Sequence, residues 1–458
     1  MPTRGVSSTR AREDLSFERI TGRFQRSRWA LLAPDLSILA LNIEGATMPG
    51  NSTIAITGQS LIKHDTRHIS NPAFQEVISI LKAADLSFTN FEGTILGRHG
   101  GWPLKGSYFD CSEPFVLDAL KDMGFGALSL SNNHAFDLGP SGILSTLEEV
   151  EKRGFVHAGI GRNHRDAAQA GTGMFGNREM AVVAMDGGPG PDIMYADDER
   201  GDRPARPGIN RLGLSQILDV DATAFDELRA MREKVGYTEL AYINDSQPND
   251  PHPVNEEDEI CIARAVFRRS QNFARSVKID GPDFARNLDT IATAAERGSL
   301  VIAYLHHHHW ASDWLDVPGW VENIARNCID AGAAAFVCHG APVLQGIEIY
   351  RNRPIFYSMG NFVFHVPSEE GTWRAPEVWE SVICLCTFDS ENRLVKAEVH
   401  PLIIGGEQAS GDTEHAERLV PELAKGKTAD RILKRLAAQS ERFGTAMEIA
   451  NGCGVLRI

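Results

Sequence analysis

The sequence lacks two features whose absence excludes whole classes of protein. Acidic residues outnumber basic ones over the 458 residues, and the formal net charge is −15 at pH 7. No excess of positive charge is available to follow a phosphate backbone, so we expect no nucleic-acid partner. The most apolar stretch, residues 29–43, is interrupted by Pro34 and Asp35. It falls short of the ~18 apolar residues that a membrane helix needs, so we expect no membrane anchor.

The sequence also lacks a regular cysteine pattern and the common catalytic motifs. The seven cysteines are odd in number, irregularly spaced and without a CxxC pair, which predicts a reduced, cytoplasmic protein without a disulfide framework. There is no G-x-S-x-G elbow and no P-loop, and the glycine run at residues 187–190 contains a proline where a dinucleotide-binding helix should begin. Serine hydrolases and nucleotide-binding proteins of these types are therefore disfavoured.

The chain does contain a regular alternation of short apolar strands and amphipathic helices. Residues 53–57 predict a strand, residues 71–84 a helix and residues 86–92 a second strand, and the pattern continues toward the C-terminus. Such alternation is typical of a layered α/β fold. We expect one large α/β domain over residues 51–458.

Two segments interrupt this pattern. Residues 1–50 predict a partly disordered arm, although an organelle transit peptide or a misassigned start codon is an open alternative. Residues 187–260 are rich in proline, glycine and aspartate, with one predicted helix near residues 221–234. We interpret this segment as an insertion that borders or covers the site, and a surface excursion without a role is the alternative.

A run of four histidines, His306–His309, follows the apolar strand predicted at Val301–Leu305. In α/β proteins, ligands gather at the carboxyl ends of the strands, and neutral imidazole is a common metal ligand. Because side chains alternate along an extended segment, His306 and His308 should share one side. We predict that this pair faces a metal, whereas a fortuitous histidine tract is the alternative.

Several other predicted strands also end in residues that can bind a metal. The predicted ligands are Gln59, Glu92, Asn133, His134, His306, His308 and His339. Imidazole combined with carboxylate and amide oxygen suits one or two divalent ions of zinc, manganese or iron. Such an ion activates water and polarises a carbonyl or phosphoryl oxygen. The predicted catalytic residues are His134, His308, Asn133 and Asp137.

Cationic residues just after Gln59 suggest a place for the substrate. Lys63, His64 and Arg67 could recognise an anionic group, and a solvated loop is the equally weighted alternative. We expect a small-molecule or peptide-like substrate, and a homo-oligomer is left open.

Several ordered motifs resemble those of the CapA (poly-γ-glutamate biosynthesis protein) family. The resemblance lies in ADLSFTNFEG at residues 84–93, SNNHAFDLG at 131–139, PGIN at 207–210, HGAPVLQGIEIY at 339–350 and PIFYSMGNF at 354–362. It implies a fold related to the calcineurin-like metallophosphatases, a four-layer α/β/β/α sandwich. It also implies a metal-dependent enzyme.

Two departures from the family pattern bear on the metal. Gln59 stands where the family usually has an aspartate ligand, and Pro342 stands where a second histidine would follow His339. The remaining residues favour a single metal held by histidines and a carboxylate over a standard two-metal centre.

Three functions are compatible with these residues. The leading hypothesis is a hydrolase that uses metal-activated water on an amide, ester or phosphoester. The second is non-hydrolytic chemistry, such as a lyase reaction or the peptide Cα epimerisation of some relatives of this family, in which a metal acidifies the Cα–H. The third is a non-catalytic binding or assembly protein with a degenerate site.

Overall fold

The computed structural model describes residues 50–106, 109–237, 257–262, 265–366, 373–406 and 418–458. The chain divides into two units, Met1–Met48 and Pro49–Ile458. The arm predicted over residues 1–50 lies outside the described residues except for Gly50.

Strands and helices alternate along the described chain, as the sequence predicts. The strands are β1 (Ser52–Thr57), β2 (Gln59–Leu61), β3 (Leu86–Asn90), β4 (Phe125–Ser129), β5 (Val156–Ala158), β6 (Ile160–Gly161), β7 (Gly171–Phe175), β8 (Arg178–Asp186), β9 (Gly208–Ile209), β10 (Leu214–Val220), β11 (Glu259–Ile262), β12 (Ala265–Arg269), β13 (Ala274–Ile279), β14 (Leu300–His306), β15 (Ala335–His339), β16 (Ile347–Tyr350), β17 (Arg353–Phe356), β18 (Asn361–Phe364), β19 (Glu380–Phe388), β20 (Leu394–Ile404), β21 (Pro421–Leu423), β22 (Met447–Ala450) and β23 (Cys453–Leu456). The helices are α1 (Pro72–Ala83), α2 (Phe115–Met123), α3 (Gly139–Lys152), α4 (His164–Ala167), α5 (Ala222–Lys234), α6 (Gly281–Glu296), α7 (Gly319–Asp330) and α8 (Gly426–Glu441), with 3-10 turns at Asp192–Met194 and Pro376–Trp379.

Two sheets form the body of the domain. The first has the order β22-β23-β20-β19-β1-β3-β4-β5, with β21 beside β20, and its β1, β3, β4 and β5 run parallel. The second has the order β16-β17-β15-β14-β8-β7, and its four central strands run parallel. Parallel neighbours place their carboxyl ends at one edge of each sheet, which gathers the residues that follow them.

The two sheets pack face to face. Ile56 and Phe88 of the first sheet share one buried cluster with Tyr304 and Val337 of the second. Residues that alternate with these, such as Val301, belong to a different cluster on the outer face of the second sheet. Each sheet is thus apolar on both faces, as expected for parallel strands that are covered on both sides.

Helices cover the outer faces of both sheets. Phe74 of α1 and Leu117 of α2 join the apolar cluster on the outside of the first sheet. Ile291 of α6 and Ile324 of α7 join the cluster on the outside of the second sheet. The layers therefore follow the order helix, sheet, sheet, helix, which confirms the predicted four-layer α/β/β/α sandwich.

The helix boundaries follow local chemistry. The side chain of Asn71 accepts a hydrogen bond from the backbone N–H of Ala73 at the start of α1, and Pro72 occupies the first turn. Asn followed by proline is a favoured helix start. The Asn side chain accepts a hydrogen bond from a backbone N–H that has no partner within the helix, and proline has no N–H to satisfy. Phe74, Val77, Ile78 and Leu81 then lie on the buried face of α1.

The predicted insertion contains more regular structure than its sequence suggests. The helix predicted near residues 221–234 is confirmed as α5, but the short strand β9 and the strands β10 and β11 were missed within the segment. The strands β10 and β11 belong to a larger unit. With β12 and β13 they form a four-stranded sheet of order β11-β12-β10-β13. Residues 238–256 of the insertion lie outside the described residues.

The C-terminal region adds one helix and several strands to the domain. Helix α8 begins at Gly426 and is preceded by the short strand β21. Strands β19 and β20 pair as an antiparallel hairpin, and β23 pairs with β20. Within the described ranges, no helix has both the length and the apolar character required to cross a bilayer.

Candidate metal centre

The carboxyl end of β14 positions the central residue of the site. His306 pairs in register with Asp186 at the end of β8 and with His339 at the end of β15. Residues that pair in register point to the same face of a sheet. Tyr304, two residues earlier, lies in the cluster between the sheets, so His306 also points toward the first sheet.

The first sheet supplies the partners of His306. Glu92 follows β3 and Asn133 follows β4, and both lie at the edge where these parallel strands end. The Nε2 atom of His306 is 2.9 Å from Oδ1 of Asn133 and 3.8 Å from Oε1 of Glu92. Residues far apart in the chain thus meet between the two sheets.

Glu92, His306 and His308 form one cluster of possible metal donors. One nitrogen or oxygen atom from each lies within 4.8 Å of those of the other two, and the two histidine Nε2 atoms are 3.2 Å apart. Two nitrogen ligands bound at 2.0–2.1 Å to one tetrahedral zinc ion lie about 3.3 Å apart. The observed spacing therefore fits two ligands of a single ion.

The protonation states of the cluster also suit a metal. Burial lowers the pKa of His306 well below its ordinary value and that of His308 to about 3, so both imidazoles are neutral. Neutral imidazole is the form that binds metal. Burial, with Asp110 nearby, raises the pKa of Glu92 to about 8. No hydrogen-bond partner for Oε2 of Glu92 is present in the part of the chain that the structure describes.

With a pKa of about 8, Glu92 holds a proton at neutral pH, and a divalent cation in place of that proton would stabilise the buried carboxylate. The donor set of one carboxylate and two imidazoles fits zinc, manganese or iron. Glu92, His306 and His308 are therefore the residues that fit the metal implied by the sequence.

His134 stands beside the donor cluster within a short chain of charged groups. Its Nδ1 lies 2.7 Å from Oδ2 of Asp137, and the other oxygen of Asp137 lies 2.8 Å from Nζ of Lys105. Lys105 also donates to the backbone carbonyl of Asn133 at 2.7 Å. Since Nδ1 faces the carboxylate, Nδ1 carries the proton and the lone pair lies on Nε2. Burial lowers the pKa of His134 in spite of Asp137.

Two other predicted ligands lie near the cluster without joining it. The Nδ1 atom of His339 is 3.3 Å from the hydroxyl of Tyr304, and burial lowers the pKa of His339 to about 3. The side-chain amide of Gln59 donates to Oδ1 of Asn361 at 3.0 Å. A ligand role for His339 and Gln59 stays a prediction.

The other half of the histidine run faces away from the cluster. The rings of His307 and His309 lie 4.7 Å and 6.3 Å from the ring of Trp320. His309 also contacts the carbonyl of Gly187 through Nε2 at 3.1 Å. The structure thus separates the run into two pairs, with His306 and His308 together on the side of the donor cluster.

The three cationic residues proposed for substrate binding have different surroundings. Lys63 lines the cavity described below, and its Nζ lies 3.7 Å from Oδ2 of Asp110. The ring of His64 packs at 4.9 Å from that of His365. Arg67 is exposed and pairs with Asp65, 2.7 Å away. Only Lys63 of the three lines the cavity, and the binding roles stay predictions.

A cavity of about 390 Å³ opens onto the donor cluster. This volume lies in the range of small-molecule sites. Its lining combines polar and apolar side chains from many parts of the chain. The lining residues are Gln59, Leu61, Lys63, Glu92, Lys105, Phe109, Asp110, Asn133, His134, His308, Trp310, Gly340, Pro342, Phe364, Val366 and Trp373.

Sequence reasoning missed Lys105 and the aromatic residues of this cavity. Lys105 follows no strand end, and nothing in its local sequence indicates that its loop reaches Asp137. Trp310 directly follows the histidine run, and that adjacency is the one signal that could have identified it. Asp186 ends a predicted strand, but its carboxylate accepts hydrogen bonds from Tyr195 and from the N–H of Gly188 and lies outside the donor cluster.

Comparison with known proteins agrees with the resemblance seen in the motifs. The family model described as "Bacterial capsule synthesis protein PGA_cap" matches residues 43–366, well over half of the chain. The protein y4sH of Sinorhizobium fredii, which is named as uncharacterised, is 29% identical over 449 residues, covering 89% of this chain and 93% of y4sH.

More distant relatives carry functional names. The capsule biosynthesis protein CapA of Bacillus anthracis is 22% identical over 321 residues, which cover 68% of this chain and 59% of CapA. A solved structure, the 5′-nucleotidase precursor from Thermus thermophilus, is 11% identical and overlaps 77% of this chain and 54% of its own. Its TM-score of 0.33 is too low to support an inference.

Proposed function

The chain belongs to the bacterial capsule synthesis protein PGA_cap family, and from that premise we propose that it is a metal-dependent hydrolase of an amide, ester or phosphoester. The observation that carries this proposal is the cluster of Glu92, His306 and His308 beside a cavity that His134 also lines. Metal donors and a proton carrier are the two parts that hydrolysis by activated water requires.

Each residue has a role that follows from its position. Glu92, His306 and His308 would hold the ion, which supplies Lewis acidity toward water and toward a carbonyl or phosphoryl oxygen. His134 accepts a proton from water at Nε2 and returns it to the leaving group. Asp137 holds the Nδ1–H tautomer of His134, and Lys105 holds Asp137 in place.

Asn133 contacts both the metal donors and the charged groups around His134. Its side-chain oxygen lies beside Nε2 of His306, and its backbone carbonyl accepts a hydrogen bond from Lys105. The adjacent residue is His134, so movement of this loop would shift both the metal ligands and the proton carrier. Asn133 therefore fixes the position of the base relative to the ion.

Metal analysis of protein purified without a histidine tag tests the proposal. After growth with zinc, manganese and iron we expect about one ion per chain, and fewer than about 0.3 would contradict it. A panel of amides, esters and phosphoesters, assayed in D₂O with metal-loaded protein, then defines the reaction.

The same panel separates the hydrolase from the other two candidates. Cleavage with a dependence on the bound metal supports the hydrolase. Exchange of deuterium into a substrate carbon without cleavage would instead assign an epimerase or lyase. Metal-free protein that turns over none of the panel would favour a non-catalytic binding protein.

A further inference from the structure

The lining of the cavity beside the donor cluster has a polar part and an apolar part. The polar part includes donor residues and members of the charged chain around His134. The apolar part, which we call the apolar wall, consists of Leu61, Trp310, Pro342, Phe364, Val366 and Trp373. A mainly apolar lining with a few polar groups is typical of small-molecule sites.

The apolar wall is a built part of the fold. Leu61 of β2 pairs in register with Phe364 of β18, so these side chains stand next to each other on one face. The ring of Phe364 packs edge-on to Trp373 at 5.8 Å and lies 5.5 Å from Trp379. These residues belong to one buried apolar cluster that Trp310 also contacts. Contacts within the protein therefore hold the residues of the wall together.

The wall begins directly beside the metal donors. The ring of Trp310 lies 4.9 Å from the ring of His308, and its indole N–H donates to the carbonyl of His307 at 3.2 Å. An apolar group that covers the wall is thus placed next to the ion.

The charges around the cavity argue against an anionic group at this position. Both lysines of the lining already have carboxylate partners, since Lys63 pairs with Asp110 and Lys105 with Asp137. Among the lining residues no lysine is therefore left to pair with an anionic group at the wall, and an uncharged group needs no such partner.

We propose that the substrate carries an uncharged apolar group, aromatic or aliphatic, that packs against the apolar wall next to the bond that reacts. This inference rests on the proposed function, because the reacting bond is located by the ion at Glu92, His306 and His308. The substrate class is therefore an amide or ester of an apolar acid, or a peptide with an apolar side chain at the reacting position.

Matched hydroxamic acids test this inference as metal-binding probes. Acetohydroxamic acid reports the ion alone, phenylacetohydroxamic acid adds an aromatic group, and succinic acid monohydroxamate adds an anionic one. Titration calorimetry on metal-loaded protein should give an affinity for the phenylacetyl probe about 10- to 100-fold above that of the acetyl probe. The succinyl probe should gain less than about 3-fold.

Substitutions in the wall should remove this gain. Trp373→Ala, and independently Trp310→Ala on a separate loop, should bring the phenylacetyl probe to within about 3-fold of the acetyl probe. The matched control is Trp102→Ala, because Trp102 is 82% exposed and does not line the cavity. Circular dichroism and metal content identify any variant that fails to fold.

The outcomes separate this inference from the proposed function. If metal is bound and the acetyl probe binds, but the phenylacetyl probe gains nothing or the succinyl probe binds best, the inference is wrong and the metal centre stands. If no metal is bound, the proposed function fails and the inference falls with it. An unchanged gain in both tryptophan variants would also overturn the role of the wall.

Discussion

The two pairs of histidines within His306–His309 share one stretch of sequence and have opposite surroundings. The Nε2 atoms of His306 and His308 meet at 3.2 Å beside Glu92. His307 and His309 pack against Trp320 instead. The difference shows that residue type alone does not make a metal ligand.

The two pairs of histidines differ in the residues that they contact. His306 faces the space between the two sheets, where β3 and β4 deliver Glu92 and Asn133. His307 meets an aromatic ring and no carboxylate in the described contacts. Burial lowers the pKa of His307 to about 3, as it does for His308, so the pKa values do not separate the pairs.

The largest expected effect comes from removing a metal donor from the histidine run. His306→Ala or His308→Ala removes one nitrogen donor, and we expect metal affinity to fall by more than the 10- to 100-fold typical of outer-shell changes. Elemental analysis and competition with a chelator measure this loss. His309→Ala is the matched control and should keep its metal. Equal loss in all three variants would remove the distinction between the pairs.

The next effect concerns the proton carrier beside the favoured pair. Asp137→Asn should leave metal content unchanged and lower kcat by about 10²- to 10⁴-fold, because an amide can donate to Nδ1 and moves the proton of His134 to Nε2. KM should change little. Steady-state kinetics with a substrate from the hydrolysis panel measures both constants. A fall in metal content instead would make Asp137 a structural support of the ion.

A smaller effect tests whether the favoured pair needs a carboxylate from the other sheet. Glu92→Gln keeps the shape and an oxygen donor but removes the charge, so metal affinity should fall by about 10- to 100-fold. Glu148→Gln, on the partly exposed ion pair with Arg98, is the control and should bind metal normally. Retention of full affinity in Glu92→Gln would leave the two histidines without their proposed third ligand.

The smallest expected effect concerns His307, which we expect to stabilise the fold by packing and not to bind the metal. His307→Ala should lower the free energy of unfolding by about 1–3 kcal/mol, because it removes a buried ring from Trp320. His307→Phe keeps the ring and removes a buried Nδ1 that has no hydrogen-bond partner in the described chain, so its stability should match or exceed that of the parent. Urea denaturation measures both. Loss of metal in His307→Phe would contradict a packing role.

The spacing of apolar residues in the sequence predicted the strands and helices that this spacing marks. The strand predicted at residues 301–305 and the helix predicted at residues 71–84 are confirmed as β14 and α1, because apolar spacing and helix caps are local signals. The sheet formed by β10, β11, β12 and β13 was missed, since its strands are only partly buried and carry many charged residues. Partly exposed strands lack the apolar run that identifies a core strand.

By itself the sequence determined the chemistry at the strand ends and the alternation within the histidine run. An extended segment places every second side chain on one face, so His306 and His308 had to lie together. Only the tertiary structure decided which face meets Glu92, that Lys105 reaches Asp137, and that Leu61 and Trp373 share one wall. These contacts join residues far apart in the chain, and the packing of two sheets brings them together where no local pattern records it.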